Sequence, residues 1–456
     1  MNLFTIASKS MKQRFVPSFL TSLSVALGVS LMVTVLILNN VVTEMFQQSG
    51  SGYHLIVGPQ GSALQLVLST IYHIDKPIEN LPWRYYQEMA EHPLVKYAIP
   101  INIGDTTEVG GFPVVGTTPK LFQIPYAPDK KFQVGVDEYA LRGTWDAVIG
   151  YHVAQKNGWK AGSKFKMIHG GQDAHVHDEE FTVRGVLAPT HTPNDKTVFV
   201  HIDGFFQMSD HSKPIQEAID REAAFFHEDE DAVTARYEDD IREIAKHQNE
   251  SAEEHAGHHH HGPLSDLQKE VTSIILIMKG DNDIQIAIAK QKMEQELKDK
   301  MQAQGANTVG VMTQLMNDLV GNIRLAMLWM TGLIIIVSGI GIFVSIYNSM
   351  SDRKREIAIM RALGARRQTV FSLILLESVL LCLLGGISGI LLGHGIVFVA
   401  APIIESRSGL LIDPMAFTPL ELIVIPVLIL MASVIGFLPG LTAYRTDVAQ
   451  GLQSGG

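Results

Sequence analysis

The sequence predicts an α-helical membrane protein with four transmembrane helices and a large mixed α/β extracytoplasmic domain between the first and second helices. Three observations predict this fold class. Long apolar runs occur near the N-terminus and in the last third of the chain. The residues between them are more polar and contain short β-rich segments. A basic segment links two of the apolar runs, and such links lie on the cytoplasmic side of a membrane.

The composition excludes several classes of protein. The chain of 456 residues has a formal net charge of −11, so it lacks the basic footprint of a nucleic-acid-binding protein. Residues 210–262 contain 15 acidic and 5 basic residues, which places nearly all of the excess negative charge in one stretch. The single cysteine, Cys382, lies in an apolar run and cannot form an intrachain disulfide.

The N-terminal segment predicts an interfacial helix followed by a first membrane span. Residues 1–15 combine apolar side chains at near-helical spacing with Lys9, Lys12 and Arg14, a pattern typical of a helix in the membrane interface. No charged residue occurs in residues 16–42, and about 20 apolar residues suffice to cross ~30 Å of hydrocarbon. A cleaved signal peptide is disfavoured, because the apolar run is too long and no cleavage site follows. We therefore predict a retained helix over residues 16–43.

Residues 44–321 are predicted to form the extracytoplasmic domain. Apolar and polar residues alternate over residues 181–186, which predicts a strand. Residues 271–279 also predict a strand, and residues 284–304 predict a helix with a charged outer face. Residues 210–262 form an acidic, histidine-rich insert within this domain.

The last third of the chain is predicted to contain three more spans, a cytoplasmic link, an outer loop and a cytoplasmic tail. The predicted spans are residues 322–349, 370–401 and 422–440; the link is 350–369, the outer loop 402–421 and the tail 441–456. Six basic residues lie between positions 353 and 367, so the link and both termini are predicted to be cytoplasmic. The four-residue spacing of Gly385, Gly389 and Gly393 predicts close packing of membrane helices.

The link has the features of a docking helix. It places apolar side chains on one helical face beside basic residues, and Gly364 is suited to end a helix. Its basic residues would also serve simply to hold the loop in the cytoplasm. The residues predicted to form this contact surface for another protein are Arg353, Lys354, Arg355, Glu356, Ile359, Met360, Arg361, Leu363 and Gly364. The sequence itself contains no phosphate-binding loop of the Gly-x4-Gly-Lys-Ser/Thr type.

Three segments resemble the MacB/FtsX-type permeases of ATP-binding cassette (ABC) transporters. They are REIAIMRALGA at residues 355–365, the ending PGLTAYRTDVAQGL, and GTWDAVIGYHVAQKNGWKAGSKFKM in the outer domain. The resemblance implies a non-enzymatic permease in the bacterial inner membrane, a homodimer with two copies of an ATPase subunit. That partner would bind ATP and Mg²⁺, and the permease would transmit its motion to an outer-face substrate.

The histidines suggest a metal. Candidate zinc ligands are His255, His258, His259, His260 and His261 in the insert, since imidazole and carboxylate groups suit zinc, copper or nickel. His175 and His177 also precede three consecutive acids. A solvated loop without a specific role has the same composition. No His-Glu-x-x-His motif supports a zinc peptidase.

Two functions are therefore predicted for the outer domain. The first is ATP-driven action on an outer-face substrate, with a metal such as zinc as one candidate substrate and a periplasmic metal-binding or substrate-carrying protein as a candidate partner. The alternative is a regulator that moves no substrate and activates a periplasmic enzyme such as a cell-wall hydrolase.

Overall fold

The computed structural model divides the chain into two compact units. Residues 1–43 and 316–456 form the membrane unit, and residues 44–315 form the outer unit. The structure describes residues 3–48, 52–74, 77–135, 141–169, 176–208, 211, 213–253, 264–315, 357–408, 415, 417 and 421–445, with scattered positions between 318 and 344.

The outer unit contains an 11-stranded mixed sheet. Its main strand order is β15-β1-β14-β3-β4-β12-β8-β11-β7, with β10 paired to β3 and β9 paired to β11. The strands are β1 Leu55–Gly58, β2 Leu81–Pro82, β3 Val95–Thr107, β4 Pro113–Thr117, β5 Pro125–Ala127, β6 Lys130–Lys131, β7 Val134–Gly135, β8 Asp146–Ile149, β9 Lys164–Phe165, β10 Met167–His169, β11 Phe181–Leu187, β12 Val198–His201, β13 Glu270–Val271, β14 Ser273–Met278 and β15 Gln304–Ala306. The strands β2 with β13 and β5 with β6 form separate two-stranded ribbons.

Helices surround this sheet. The α-helices of the outer unit are Ala63–Tyr72, Trp83–Glu91, Tyr151–Asn157, Ile202–Gln207, Ile215–Phe226, Glu230–Arg236, Glu238–Glu253, Asp283–Lys300 and Thr308–Leu315, and the 3₁₀ helices are Pro119–Gln123, Pro193–Lys196 and Asp266–Gln268.

The sheet is buried on both faces, which explains its continuous apolar strands. In β14, Ile274 and Leu276 belong to one hydrophobic cluster, whereas Ile275 and Ile277 belong to another. Because successive side chains of a strand point to opposite faces, a strand covered on both sides needs apolar residues at every position. The predicted strand over residues 271–279 is confirmed as β13 and β14, and the alternating run 181–186 as β11.

The acidic insert folds into helices that carry their own compensating cations. Arg236 pairs with Glu222 at 3.0 Å and with Glu228 at 2.7 Å. Arg84, from outside the insert, approaches the same two carboxylates at 3.4 Å and 3.1 Å. Glu222 is nearly fully buried, and a buried carboxylate requires such partners. Part of the negative charge of this stretch therefore takes part in ion pairs that hold the fold together.

The membrane unit is helical. Its helices Leu3–Gln13, Phe15–Gln48, Arg367–Ser408 and Glu421–Arg445 include three segments long and apolar enough to cross a membrane. The predicted span 322–349 falls largely outside the described residues, and its described positions between 322 and 344 are helical.

Two helices are longer than the spans predicted within them. The helix that contains the predicted span 370–401 continues through Pro402 to Ser408, and the helix that contains the predicted span 422–440 passes Pro439 and reaches Arg445. Proline removes one backbone hydrogen bond, but membrane helices tolerate it where neighbouring groups compensate. The prolines therefore do not mark the ends of these helices.

The helix Arg367–Ser408 packs closely on the first span through its glycines. A Cβ atom added at Gly389 would lie 2.7 Å from the carbonyl oxygen of Ala26 and 2.6 Å from Cβ of Val29. Gly385 and Gly393 face Ser22 and Ser30 backbone oxygens in the same way, at 2.7 Å and 3.1 Å. Real Cβ atoms do not approach backbone so closely, so glycine is required at this helix crossing.

Candidate metal centre

Three histidines and one aspartate of the outer unit converge on a single point. One potential ligand atom from each of Asp105, His169, His177 and His211 lies within 4.8 Å of all the others. Oδ1 of Asp105 is 3.1 Å from Nδ1 of His169. Oδ2 of Asp105 is 3.4 Å from Nε2 of His177 and 3.0 Å from Nε2 of His211. The four residues come from three separate stretches of the chain.

A bulge in β3 presents Asp105 to this point. The pairing of β3 with β4 shifts register between Ile103 and Thr106. Gly104, with φ of +154°, lies at this irregularity in a conformation that glycine adopts most readily. A bulge bends its strand and re-aims the neighbouring side chains. Asp105 consequently lies beside the histidines with only 1% of its side chain exposed.

Strand β10 and the residues Val176 and His177, which pair with it, supply two of the histidines. His169 is the direct antiparallel partner of Asp105 across the β3–β10 ladder, and such partners hold their Cβ atoms ~5 Å apart. Val176 bridges to Ile168, and the amide of His177 donates to the carbonyl of Met167 at 2.9 Å. Both histidines therefore lie on the same face of the sheet edge as Asp105, because this pairing fixes their orientation.

His211 reaches the cluster from the segment after the helix Ile202–Gln207. Its backbone amide donates to the carbonyl of Met208 at 3.3 Å. Its ring contacts the ring of Phe205 edge-on, with centroids 4.4 Å apart. Phe205 lies over Gly116 of β4, where a Cβ atom would be only 2.8 Å from the Phe205 ring. The closeness of helix and sheet at Gly116 thus determines where the His211 ring lies.

The ligand atoms lie close enough together for one metal ion to contact all four residues. Zinc binds imidazole nitrogen at about 2.0–2.1 Å and carboxylate oxygen at about 2.0–2.2 Å, so tetrahedral ligand atoms are roughly 3.3 Å apart. The three nitrogen–oxygen separations here are 3.0, 3.1 and 3.4 Å. Among the described residues, neither oxygen of Asp105 accepts a hydrogen bond of acceptable geometry, although both are buried. A buried carboxylate in that condition is costly unless a cation binds it.

The neighbouring imidazoles favour the ionised form of the Asp105 carboxyl group. Burial alone would raise the pKa of this carboxyl group. The imidazoles of His177 and His211 beside it outweigh burial and hold its pKa well below the ordinary value. The group is therefore an anion at neutral pH, which is the form that binds metal.

The donor set selects a class of metal. Calcium and magnesium prefer shells of oxygen atoms, whereas three imidazoles and one carboxylate suit zinc and its neighbours among the divalent transition metals. Four protein ligands also complete a tetrahedron. Catalytic zinc instead keeps one position for water or substrate, so this geometry favours metal binding over hydrolysis.

The predicted metal ligands of the insert are not placed by the structure. His255 and His258 to His261 lie outside the described residues, as does His175. Of the histidines noted in the sequence for their acidic neighbours, His177 belongs to the cluster. The sequence reasoning missed Asp105, His169 and His211. The sequence feature that could have identified His169 and His177 is their position in a segment whose residue pattern is typical of a β-hairpin.

The predicted docking helix is described from Ile357 onward. Arg353, Lys354, Arg355 and Glu356 lie outside the described residues. Residues 357–362 are helical. Gly364, with φ of +100°, donates to the carbonyl of Arg361 at 3.1 Å, and Ala365 donates to that of Met360 at 3.0 Å. These paired bonds form a Schellman ending, the geometry for which glycine is favoured.

Two family models match the chain in the expected order. The MacB-like periplasmic core domain matches residues 18–244, and the FtsX-like permease C-terminal domain matches residues 329–448. The chain belongs to the MacB/FtsX-type family of ABC transporter permeases. Its fold class is confirmed as membrane helices with a large mixed α/β domain of periplasmic type.

Individual relatives of this MacB/FtsX-type permease share low sequence identity with it and match only part of the chain. It is 27% identical over 205 residues to the ABC transporter permease YtrF of Bacillus subtilis, a region that covers 42% of this chain and 47% of YtrF. It is 33% identical over 149 residues to the macrolide export ATP-binding/permease protein MacB of Agrobacterium fabrum, covering 32% of this chain and 20% of that protein. The matched regions thus span less than half of each relative.

A solved structure aligns with part of the chain. The periplasmic region of MacB from Actinobacillus actinomycetemcomitans aligns with a TM-score of 0.32 and 10% identity, over 61% of this chain and 98% of that structure. The family assignment rests on the two family models.

Proposed function

We propose that this permease is the membrane subunit of an ABC transporter that handles a divalent transition-metal ion of the zinc class at its outer face. The observation that carries the proposal is the convergence of Asp105, His169, His177 and His211 in the outer unit. Imidazole-rich ligand sets bind such ions in preference to the more abundant hard cations. The histidines of the insert, His255 and His258 to His261, would raise the local concentration of the ion before it reaches the cluster.

Energy for this transport comes from a separate ATPase subunit, present in two copies and bound to a homodimer of this chain. Both termini and residues 350–369 lie in the cytoplasm in this arrangement. ATP-driven closure of the ATPase pushes on residues 350–369, and the motion passes through the membrane helices to the outer unit. The permease chain contributes no nucleotide site to this process.

The exposed face of residues 357–364 supports contact with the ATPase at this segment. Ile357 and Ala358 are buried, and Ile357 belongs to the same hydrophobic cluster as Val370. Leu363 is 84% exposed and Ile359 is 43% exposed. One face of the helix is thus fixed to the membrane unit while apolar side chains project from the other. Exposed apolar residues on a helix are typical of docking into a partner's groove.

Metal analysis of the complex tests the proposal. A variant that lacks residues 254–263, purified with its ATPase, is expected to bind about one zinc ion per chain at the cluster. Zinc is expected to change the rate of ATP hydrolysis in the wild-type complex. The proposal would be contradicted by a complex that binds no zinc and whose rate of ATP hydrolysis does not change when zinc is added. Co-purification of a periplasmic cell-wall hydrolase with such a complex would instead support the regulator.

A further inference from the structure

The four residues of the metal centre differ sharply in exposure. The side chains of Asp105, His177 and His211 are 1%, 0% and 5% exposed. The side chain of His169 is 44% exposed. Three candidate ligands are therefore enclosed by the protein, and the fourth forms part of the surface.

His169 covers the cluster as a lid. Its Nδ1 atom, 3.1 Å from Asp105, is itself buried. The exposed part of the residue is consequently the far edge of the ring. The ring touches those of His177 and His211, with centroids 6.1 Å and 5.6 Å apart, but its outer edge faces solvent, so a change of rotamer does not have to displace a packed core. Rotation of the His169 ring would open one side of the centre to water.

The other ligands lack this freedom. The ring of His211 lies between Phe205 and His177, with centroid distances of 4.4 Å and 5.0 Å. Asp105 pairs with His169 across the β3–β10 ladder, and on the β4 side it lies in the bulge between the ladder residues Ile103 and Thr106. Moving either one requires the sheet or the adjoining helix to shift, and close-packed interiors resist such shifts.

We propose that His169 is the exchangeable ligand through which metal enters and leaves, while Asp105, His177 and His211 hold the ion. This inference rests on the metal site of the proposed function. In the exchange, the bond from the metal to Nδ1 of His169 breaks and the nitrogen keeps its lone pair. A lone pair from an incoming water or imidazole forms the replacing bond, with no change in oxidation state. The site is then a transfer point and not a permanent structural clamp.

A chelator-exchange experiment on the chain without residues 254–263, whose histidines would otherwise bind the added ion, tests this assignment. The protein is loaded with Co²⁺, whose visible spectrum reports coordination, and the rate of loss to excess chelator is followed. We expect His169→Ala to keep the ion but release it faster, on the order of 10–100-fold, as when a zinc site loses a supporting group. Added free imidazole should occupy the vacated position, restore the four-coordinate spectrum and slow the release again.

His177→Ala provides the matched control. It also removes one imidazole, but from a position with no solvent exposure, so free imidazole should not reach it. Its loss of affinity should exceed that of His169→Ala and should not be rescued. Equal behaviour of the two variants, or rescue of His177→Ala alone, would overturn the assignment. Wild-type protein that takes up no metal would instead contradict the metal site of the proposed function.

Discussion

Replacing Asp105 by asparagine separates a metal centre from an ordinary polar cluster. Asparagine has nearly the same shape as aspartate, but it lacks the negative charge that binds zinc. Asp105→Asn also removes the attraction between the carboxylate and the imidazole nitrogens of His177 and His211, 3.4 Å and 3.0 Å away. We therefore expect the metal-free variant to be less stable than the wild type by about 1–3 kcal/mol but to remain folded.

The magnitude of the zinc effect follows from mass action. Zinc at about 100 times its dissociation constant stabilises the wild type by about 2.7 kcal/mol. If the variant binds roughly 100-fold more weakly, the same concentration equals its dissociation constant and contributes only about 0.4 kcal/mol. For a unit of this size, ~1 kcal/mol moves Tm by about 2–4 °C. The expected shifts are thus about 5–11 °C for the wild type and about 1–2 °C for Asp105→Asn.

Tryptophan fluorescence during thermal unfolding of the full chain in detergent measures these shifts. Trp83 and Trp145 pack against a core cluster of the outer unit and report on its unfolding. Asp178→Asn is the matched control, because its fully exposed carboxylate lies next to His177 in sequence but outside the cluster, and it should keep the wild-type shift. The reasoning is refuted if Asp105→Asn retains the full zinc shift, or if it unfolds without metal.

Three further outcomes are expected. Leu363→Ala should leave stability within about 0.5 kcal/mol but reduce ATPase coupling in the complex, whereas the exposed membrane residue Leu391, changed in the same way, should do neither. Gly389→Ala should destabilise the membrane unit by about 1–3 kcal/mol in thermal unfolding, while Gly395→Ala, where no atom lies within 4 Å, should be neutral or stabilising. Burial lowers the pKa of His73 to about 4 in the folded protein. As pH falls below about 6.5, His73 is therefore protonated in the unfolded chain before it is protonated in the folded protein. Stability of the outer unit should then drop by about 3 kcal/mol between pH 6.5 and 4, and His73→Asn should remove most of that drop; an unchanged pH profile would contradict it.

The fold class could be predicted because its signals are local. A charge-free run such as residues 16–42 records its membrane environment directly in composition. The alternation in β11 and the continuous apolar run of β14 likewise record whether one or both faces of a strand are buried. The lengths of the last two described helices were less predictable, because their prolines are accommodated by packing that the sequence does not display.

The metal centre depends on information that is not local. Asp105 and His211 are more than a hundred positions apart, and the sequence alone does not show that β3 and the segment after helix Ile202–Gln207 meet. The register of β3 against β10 brings His169 opposite Asp105, and a shift of one residue would turn it to the other face. The run of histidines at 258–261 is visible in the sequence itself. The histidines of the cluster are single residues that are distant in sequence and that only the fold brings together.

Strand β3 has a consequence for how the outer unit unfolds. Its 13 residues pair with β14 over the first half, with β4 in the second half and with β10 at the end. A strand shared in this way couples the two halves of the sheet, because one continuous backbone belongs to the ladders of both. Strong coupling of this kind makes local opening nearly as costly as global unfolding. An ion bound at Asp105 would therefore protect amides along the whole strand from hydrogen exchange, as far as its beginning at Val95.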